Sequence, residues 1–179
     1  MPWLFVFLLC LSLSSNADEV SVCYNYGCAV TAKVAIRAND LREIRGVLKP
    51  AADAAGEREA ISQAIGLFEI FAGQQAPTSA DRGGNLNDDG VDGRMDCIDE
   101  STNATAYLRL LESKGWLKYH RVLEPVKRAP LLVNEHWAAR IVEMQSGQEF
   151  AVDSWFFDNG QPAAIFRLED WLDGAKPNE

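Results

Sequence analysis

The chain has little positive charge, few histidines and no apolar run long enough to cross a membrane. Its 17 Lys and Arg residues are outnumbered by 26 Asp and Glu residues, which gives a formal net charge of −9. This acidic balance argues against nucleic acid or an anionic membrane as a partner. The apolar stretch from Trp3 to Leu13 is too short for a bilayer, which needs about 20 residues.

The N-terminal apolar stretch is typical of a secretory signal. Ser15-Asn16-Ala17 places small residues three and one positions before a cut after Ala17. No Lys or Arg precedes the apolar run, so an uncleaved N-terminal anchor is the alternative. We predict a signal peptide over 1–17 and one domain over 18–179, periplasmic or secreted, with no stable membrane insertion after cleavage.

The chain has four cysteines, and losing the signal with its Cys10 leaves an odd number. Cys23 and Cys28 enclose a turn-like stretch between two β-rich runs, so a hairpin with a local disulfide is expected. Cys97 is then left over. A spare cysteine in an exported protein indicates a reactive thiol or an intermolecular bridge, although a buried bystander is the simplest alternative.

The pattern of apolar residues predicts an α+β domain, with helices first and antiparallel strands after them. Asp96 is expected to cap a helix that begins at Cys97 and ends at Gly115, with Asp99 as capping-box partner. "QSG" separates two alternating segments that predict a hairpin. The predicted segments are helices "NDLREIRGVLK" and "EREAISQAIGLFEIFAG", strands "WLKYHRVL", "HWAARIVEM" and "QEFAVDSWFFDNG", and a terminal strand or short helix "IFRLEDWL".

A polar loop over 76–95 partly matches a calcium-binding loop. The match has Asp92 where an apolar residue is usual, and Asp instead of Glu at its last position. A solvated turn is therefore favoured over a calcium site. The matching positions are the first, third, fifth, sixth and twelfth, occupied by Asn85, Asn87, Asp89, Gly90 and Asp96.

Three residues predict nucleophilic chemistry. A hairpin centred near Gln145 sets His136 and Asp153 opposite each other or one diagonal apart, and one of the two register parities puts both on one face. Cys97 would be the nucleophile, His136 the base, and Asp153 the group that orients the imidazole. Helix amides favour a thiolate, while acidic neighbours raise the pKa of a thiol.

Other residues have less specific signals. Trp137 and Trp155 flank the predicted His and Asp positions, where they would wall a substrate cleft or pack in the core. His120 lies on a different predicted strand and has no matching acid, so it is expected to be structural. One spare cysteine and two histidines in separate elements give little support for a zinc site, and no cofactor is expected.

"MDCIDE" resembles the D-C-x-D stretch of bacterial transglutaminase-like cysteine proteinases, with Asp96, Cys97 and Asp99 in the matching places. "NEHWAARIVEM" and "QEFAVDSWF" would then be the His and Asp strands. The resemblance implies a papain/transglutaminase-like core and thiol-dependent cleavage or transfer at amide bonds of a peptide or protein substrate, without a metal. A non-catalytic binding or accessory module of the cell envelope with the same fold is the alternative.

Overall fold

The computed structural model describes residues 17–84, 87–129 and 135–177, so the predicted signal lies almost wholly outside the described residues. The fold is α+β with antiparallel sheets. Among the described residues, no helix has the length and hydropathy that a membrane span requires. The elements are β1 (Asp18–Tyr24), β2 (Val30–Ile36), α1 (Ala38–Leu48), α2 (Ala54–Gly73), a short 3₁₀ helix (Pro77–Ala80), α3 (Cys97–Ser113), β3 (His120–Arg128), β4 (His136–Glu143), β5 (Glu149–Asp153), β6 (Ala164–Arg167) and α4 (Leu168–Leu172).

The first two strands form a separate hairpin, as the two β-rich runs around the Cys23–Cys28 turn predict. Val20 pairs with Val34, and Cys23 pairs with Thr31 near the turn. The disulfide between Cys23 and Cys28 closes this turn, which confirms the predicted pairing. Such a bond is compatible with a protein outside the cytoplasm.

The other four strands form one antiparallel sheet in the order β3-β4-β5-β6. β3 begins four residues after the start of the predicted segment "WLKYHRVL", because the backbone before His120 is bound to the side chain of Glu57. The amides of Lys118 and Tyr119 donate to Glu57 of α2 instead of entering a ladder. The segment "IFRLEDWL", predicted as a strand or a short helix, contains both elements, because the strand β6 leads directly into the helix α4.

One face of the four-stranded sheet packs on α2 and α3. The apolar side of α2 is buried in this interface. The ring of Phe68 stacks on that of Tyr107, with 4.8 Å between the ring centroids. Ile141 and Val152 contribute the sheet side of the same core. The buried stripe of α2 consists of Ile61, Ala64, Ile65, Phe68 and Phe71.

The opposite face of the sheet has a smaller apolar cluster. Ala138 of β4, Ala151 of β5 and Trp171 of α4 pack together and are fully or almost fully buried. Because side chains alternate along a strand, His136 and Asp153 lie on this same face. The short helix α4 therefore covers the two predicted site residues of the sheet.

Candidate active site

The start of α3 has the capping geometry that the sequence predicts. The Oδ1 atom of Asp96 accepts hydrogen bonds from the amides of Ile98 and Asp99, at 3.0 and 2.9 Å. The side chain of Asp99 accepts from the amide of Asp96 in return, at 3.2 Å. Cys97 is thereby the first residue of the helix. Its position at the first turn follows from these two carboxylates, which hold the backbone at the start of the helix.

The disulfide turn lies directly on this helix start. Residues 25–28 all have positive φ, between 56° and 68°, so the backbone makes a left-handed turn. The amides of Tyr26 and Cys28 donate to the two oxygens of Asp99, at 2.8 and 2.6 Å. The amide of Gly27 donates to Oδ2 of Asp96, at 2.9 Å. Backbone donors thus take up much of the negative charge beside Cys97.

The calcium interpretation of the Asp-rich loop gains no support from these contacts. Both oxygens of Asp96, at the twelfth position of the match, already accept backbone amides. Asp92 accepts from the side chain of Asn25, and Asp88 accepts from the hydroxyl of Tyr26. Asn85, at the first position, lies outside the described residues.

His136 and Asp153 are brought together by the register of the hairpin. Ala139 pairs with Val152, so Asp153 is placed opposite Ala138 and one diagonal from His136. Nε2 of His136 lies 2.7 Å from Oδ2 of Asp153. Only 2% of Asp153 is exposed, so this bond is formed in a largely water-free setting.

A third residue, which the sequence pattern did not predict, binds the same carboxylate. Nε1 of Trp171 donates to Oδ2 of Asp153 at 2.8 Å. The guanidinium of Arg128 lies 4.6 Å from the centre of the Trp171 ring and donates to the Trp171 carbonyl. The only signal for this role was an apolar residue in the terminal segment, which equally fits ordinary packing.

The two predicted cleft tryptophans have different surroundings. The ring of Trp155 meets that of His136 edge-on, with 4.9 Å between centroids, and Phe156 adds a second edge contact at 5.6 Å. Trp137 follows His136 on the same strand, so its side chain lies on the opposite face. There the ammonium of Lys127 lies 5.6 Å from its ring. Only Trp155 of the two therefore contacts the imidazole.

The Cys97 thiol lies against the backbone on either side of His136. Its Sγ is 3.9 Å from the carbonyl oxygen of Glu135, and the amide of Trp137 donates to it. Burial raises the pKa of the thiol, the negative charges of Asp96 and Asp153 raise it further, and the Trp137 amide opposes the shift. The resting group is therefore a neutral thiol at neutral pH.

The donors around Asp153 also fix the protonation pattern of the imidazole. An indole N–H can only donate, and an ionised carboxylate can only accept. Nε2 of His136, which faces that carboxylate, must then carry the proton of the neutral ring. Nδ1 is left as the nitrogen that can take a proton from a thiol.

A layer of buried acids lies behind the His–Asp pair. Ser154, the residue after Asp153, donates its hydroxyl to Glu100 of α3. Glu69 of α2 accepts from the amide of Gly160 at 2.7 Å. Burial raises the pKa of Glu69 to about 8 and that of Glu100 well above its usual value. Glu69 is therefore mostly protonated at neutral pH, and the same burial disfavours the ionised form of Glu100.

His120 does have an acidic partner, contrary to the sequence prediction. Its Nδ1 lies 2.9 Å from Oε2 of Glu57, and both side chains are almost wholly buried. Glu57 belongs to α2, 63 residues earlier in the chain, so no local pattern around His120 indicates it. The expected structural role of His120 agrees with this burial.

The described residues contain one group close enough to share a metal ion, and its composition argues against that use. The group consists of Cys23, Cys28 and Asp99. Both sulfur atoms are joined in the disulfide, and the carboxylate of Asp99 accepts amides of the same turn. These atoms are therefore already bonded to the protein.

Comparison with known proteins provides no identity for the chain. No family model matches the sequence, and no curated protein and no solved structure matches it either.

Proposed function

We propose that the protein is a thiol-dependent hydrolase or acyltransferase that acts on peptide or amide bonds. Cys97 is the nucleophile, His136 the general base, and Asp153 the residue that orients and charges the imidazole. The observation that carries the proposal is the buried His136–Asp153 hydrogen bond at the strand end whose backbone contacts the thiol.

The proposed reaction begins from a neutral thiol. As Sγ of Cys97 attacks the carbonyl carbon, Nδ1 of His136 takes the thiol proton, and the carbonyl oxygen becomes an oxyanion. The amide of Cys97 is the proposed donor to this oxyanion. The C–N bond then breaks, and the imidazolium gives its proton to the leaving amine. Water or a second amine then attacks the thioester carbon and gives a proton to His136, the C–S bond breaks, and the sulfur of Cys97 regains that proton as the acid or the new amide leaves.

The resemblance to transglutaminase-like proteinases supports this reading at the level of the motif. Asp96 and Asp99 of "MDCIDE" have a physical reason to be acidic, because both accept amides around the nucleophile. A helix that begins with the cysteine and antiparallel strands that carry His and Asp fit a papain/transglutaminase-like core. The disulfide suits export, and we propose the periplasm as the location.

The aromatic side chains of Trp155 and Phe156, which contact His136, indicate where a substrate would lie. Trp155 is partly exposed and touches the imidazole ring, so we propose that it contacts the acyl group next to the scissile bond. Trp137, on the other face of β4, would contribute mainly through its backbone amide. The substrate is proposed to be a peptide or protein.

A non-catalytic envelope module is the second candidate, and the raised pKa of Cys97 favours it. A thiol that stays neutral at physiological pH is a poor nucleophile without a working base. In such a module, the His–Asp pair would hold β4 and β5 together and the thiol would be inert.

An assay of both transfer and cleavage separates the two candidates. Residues 18–179 would be incubated with a fluorescent casein, with and without a dye-labelled primary amine as acyl acceptor. We expect hydrolysis or dye incorporation that disappears in Cys97→Ser and His136→Ala but persists in His120→Ala. Persistence of the activity in Cys97→Ser would contradict the proposal. No activity with this or a wider panel of peptides and amides would favour the envelope module.

A further inference from the structure

We infer that Trp171 is a positioning residue for the Cys97–His136–Asp153 site, acting through its hydrogen bond to Asp153. This inference rests on the proposed function for its consequence, although not for its test. Trp171 is wholly buried and belongs to α4, the last helix of the chain. A terminal helix would then be part of the active site's construction.

The carboxylate of Asp153 is held from one side only. Oδ2 accepts both the imidazole of His136 at 2.7 Å and the indole of Trp171 at 2.8 Å. Oδ1 is buried and has no hydrogen-bond partner within the described residues. The orientation of the carboxylate is therefore set by these two donors, and Trp171 is the one that does not titrate.

Trp171 is itself fastened to the strand pair that carries the imidazole. Arg128 is the ladder partner of His136. Its guanidinium lies over the indole at 4.6 Å and donates to the carbonyls of Trp171 and Ala175. The Trp171 ring also lies 5.7 Å from that of His136. The indole is thus fixed relative to both partners of the hydrogen bond that it supports.

The shared oxygen gives the inference a definite sign. A donor to Oδ2 disperses the negative charge that stabilises the imidazolium of His136. Removing the indole N–H leaves that charge more concentrated on the imidazole side, which favours the imidazolium over the neutral ring. Less neutral base is then present near pH 7, and thiol alkylation there should slow.

The test compares Trp171→Phe with Trp116→Phe. Phe keeps an aromatic ring and removes only the donor and part of the area, and Trp116 lies elsewhere, beneath Arg45 and Lys114. The titration of His136 would be followed by NMR of its ring carbon protons. We expect the His136 transition to move to higher pH by roughly half a unit in Trp171→Phe, less than the one to two units that a direct hydrogen bond to a charged group is worth, and not to move in Trp116→Phe. An unchanged His136 titration in folded Trp171→Phe would overturn the inference.

A second measurement needs no change at Trp171. In the unaltered protein the indole Nε1–H resonance should move with the titration of His136, because both donors share Oδ2. Asp153→Asn should remove this coupling. An indole resonance that ignores the His136 titration would overturn the inference even if Trp171→Phe failed to fold. Neither readout requires turnover, so coupled resonances in an inactive protein would refute the proposed function alone.

Discussion

The two histidines of this protein each form a buried pair with a carboxylate, at opposite ends of the strand pair β3–β4. His120 begins β3 and pairs with Glu57, whereas His136 begins β4 and pairs with Asp153. The chemical groups are the same in both pairs. What differs is how completely the rest of the protein uses their hydrogen-bonding capacity.

The His120 pair is saturated. Glu57 accepts the amides of Lys118, Tyr119 and His120 in addition to the imidazole. The remaining ring nitrogen of His120 lies 3.3 Å from a guanidinium nitrogen of Arg58, and the side chain has no exposed surface. Such a pair joins α2 to the sheet and has no free position for a proton in transit.

The His136 pair is incompletely used. Asp153 has one oxygen without a partner in the described part of the chain, and 11% of the His136 side chain is exposed. A thiol contacts the backbone on either side of the imidazole. A buried His–carboxylate pair can therefore support proton transfer only where one ring nitrogen has no protein partner and a reactive group, such as a thiol, lies close by.

The largest effect expected is at the thiol itself. In residues 18–179, Cys97→Ala should abolish all thiol labelling and any amide turnover, because the other two cysteines of that range form a disulfide. The free energy of unfolding should change by only about 1 kcal/mol, the typical size for a small, partly exposed side chain. Mass spectrometry after alkylation and urea unfolding would measure both. Loss of folding would show that Cys97 is mainly a packing residue.

The next test compares a variant of the His120–Glu57 pair with a variant of the His136–Asp153 pair. Glu57→Gln should lower the free energy of unfolding by about 1–3 kcal/mol, because its side-chain amide leaves some of the buried donors to Glu57 without an acceptor. It should leave the alkylation of Cys97 unchanged. Asp153→Asn should mainly slow alkylation near pH 7, because the imidazole loses the carboxylate that holds its proton on Nε2 and leaves Nδ1 free as the base. Equal destabilisation together with equal alkylation rates in the two variants would remove the distinction between the pairs.

The acids near the two pairs predict opposite responses to pH. Burial alone would raise the pKa of Glu57, but bonds from His120 and from the amides of Lys118 and Tyr119 lower it overall. Its stabilising contribution is therefore present above the unfolded pKa and lost in acid. Glu69 has a raised folded pKa of about 8, so its contribution is complete below pH 4.5 and is lost as pH rises through about 8.

Replacing the buried acid with its amide checks this sign. Glu69→Gln cannot ionise, so the decline in stability between about pH 4.5 and 8 should become shallower than in the unaltered protein. Urea unfolding across that range measures the slope, with Glu59→Gln on the same helix as the control. An identical slope in Glu69→Gln and the unaltered protein would mean that Glu69 titrates normally.

The smallest expected effect concerns the disulfide turn. Cys23→Ser with Cys28→Ser should cost about 2 kcal/mol, as expected for a short closed loop. Because the turn donates amides to Asp96 and Asp99, the Cys97 end should respond more than the His120 end. Hydrogen exchange at the start of α3 and at the start of β3 would compare them. Equal changes in hydrogen exchange at the starts of α3 and β3 would show that the disulfide turn does not specifically support the start of α3.

Much of the fold could be predicted because its signals are local. The cap at Asp96, the stripe of α2 and the hairpin disulfide all follow from short-range patterns. The sequence left open which of two registers the β4–β5 hairpin has, and only one of them puts His136 and Asp153 on one face. Glu57 and Trp171 could not be predicted as partners. Each reaches its histidine or carboxylate across the fold, from another element, and no spacing rule links them. The catalytic roles themselves stay predictions.

The pH dependence of Cys97 alkylation by iodoacetamide, in the unaltered protein, His136→Ala and His120→Ala, tests the central claim most directly. The account predicts that alkylation near pH 7 follows the neutral fraction of His136. It should slow roughly tenfold or more in His136→Ala and stay unchanged in His120→Ala. In His136→Ala the remaining profile should rise only with ionisation of a thiol whose pKa is raised. The same profile in all three proteins would contradict the account and make Cys97 a bystander.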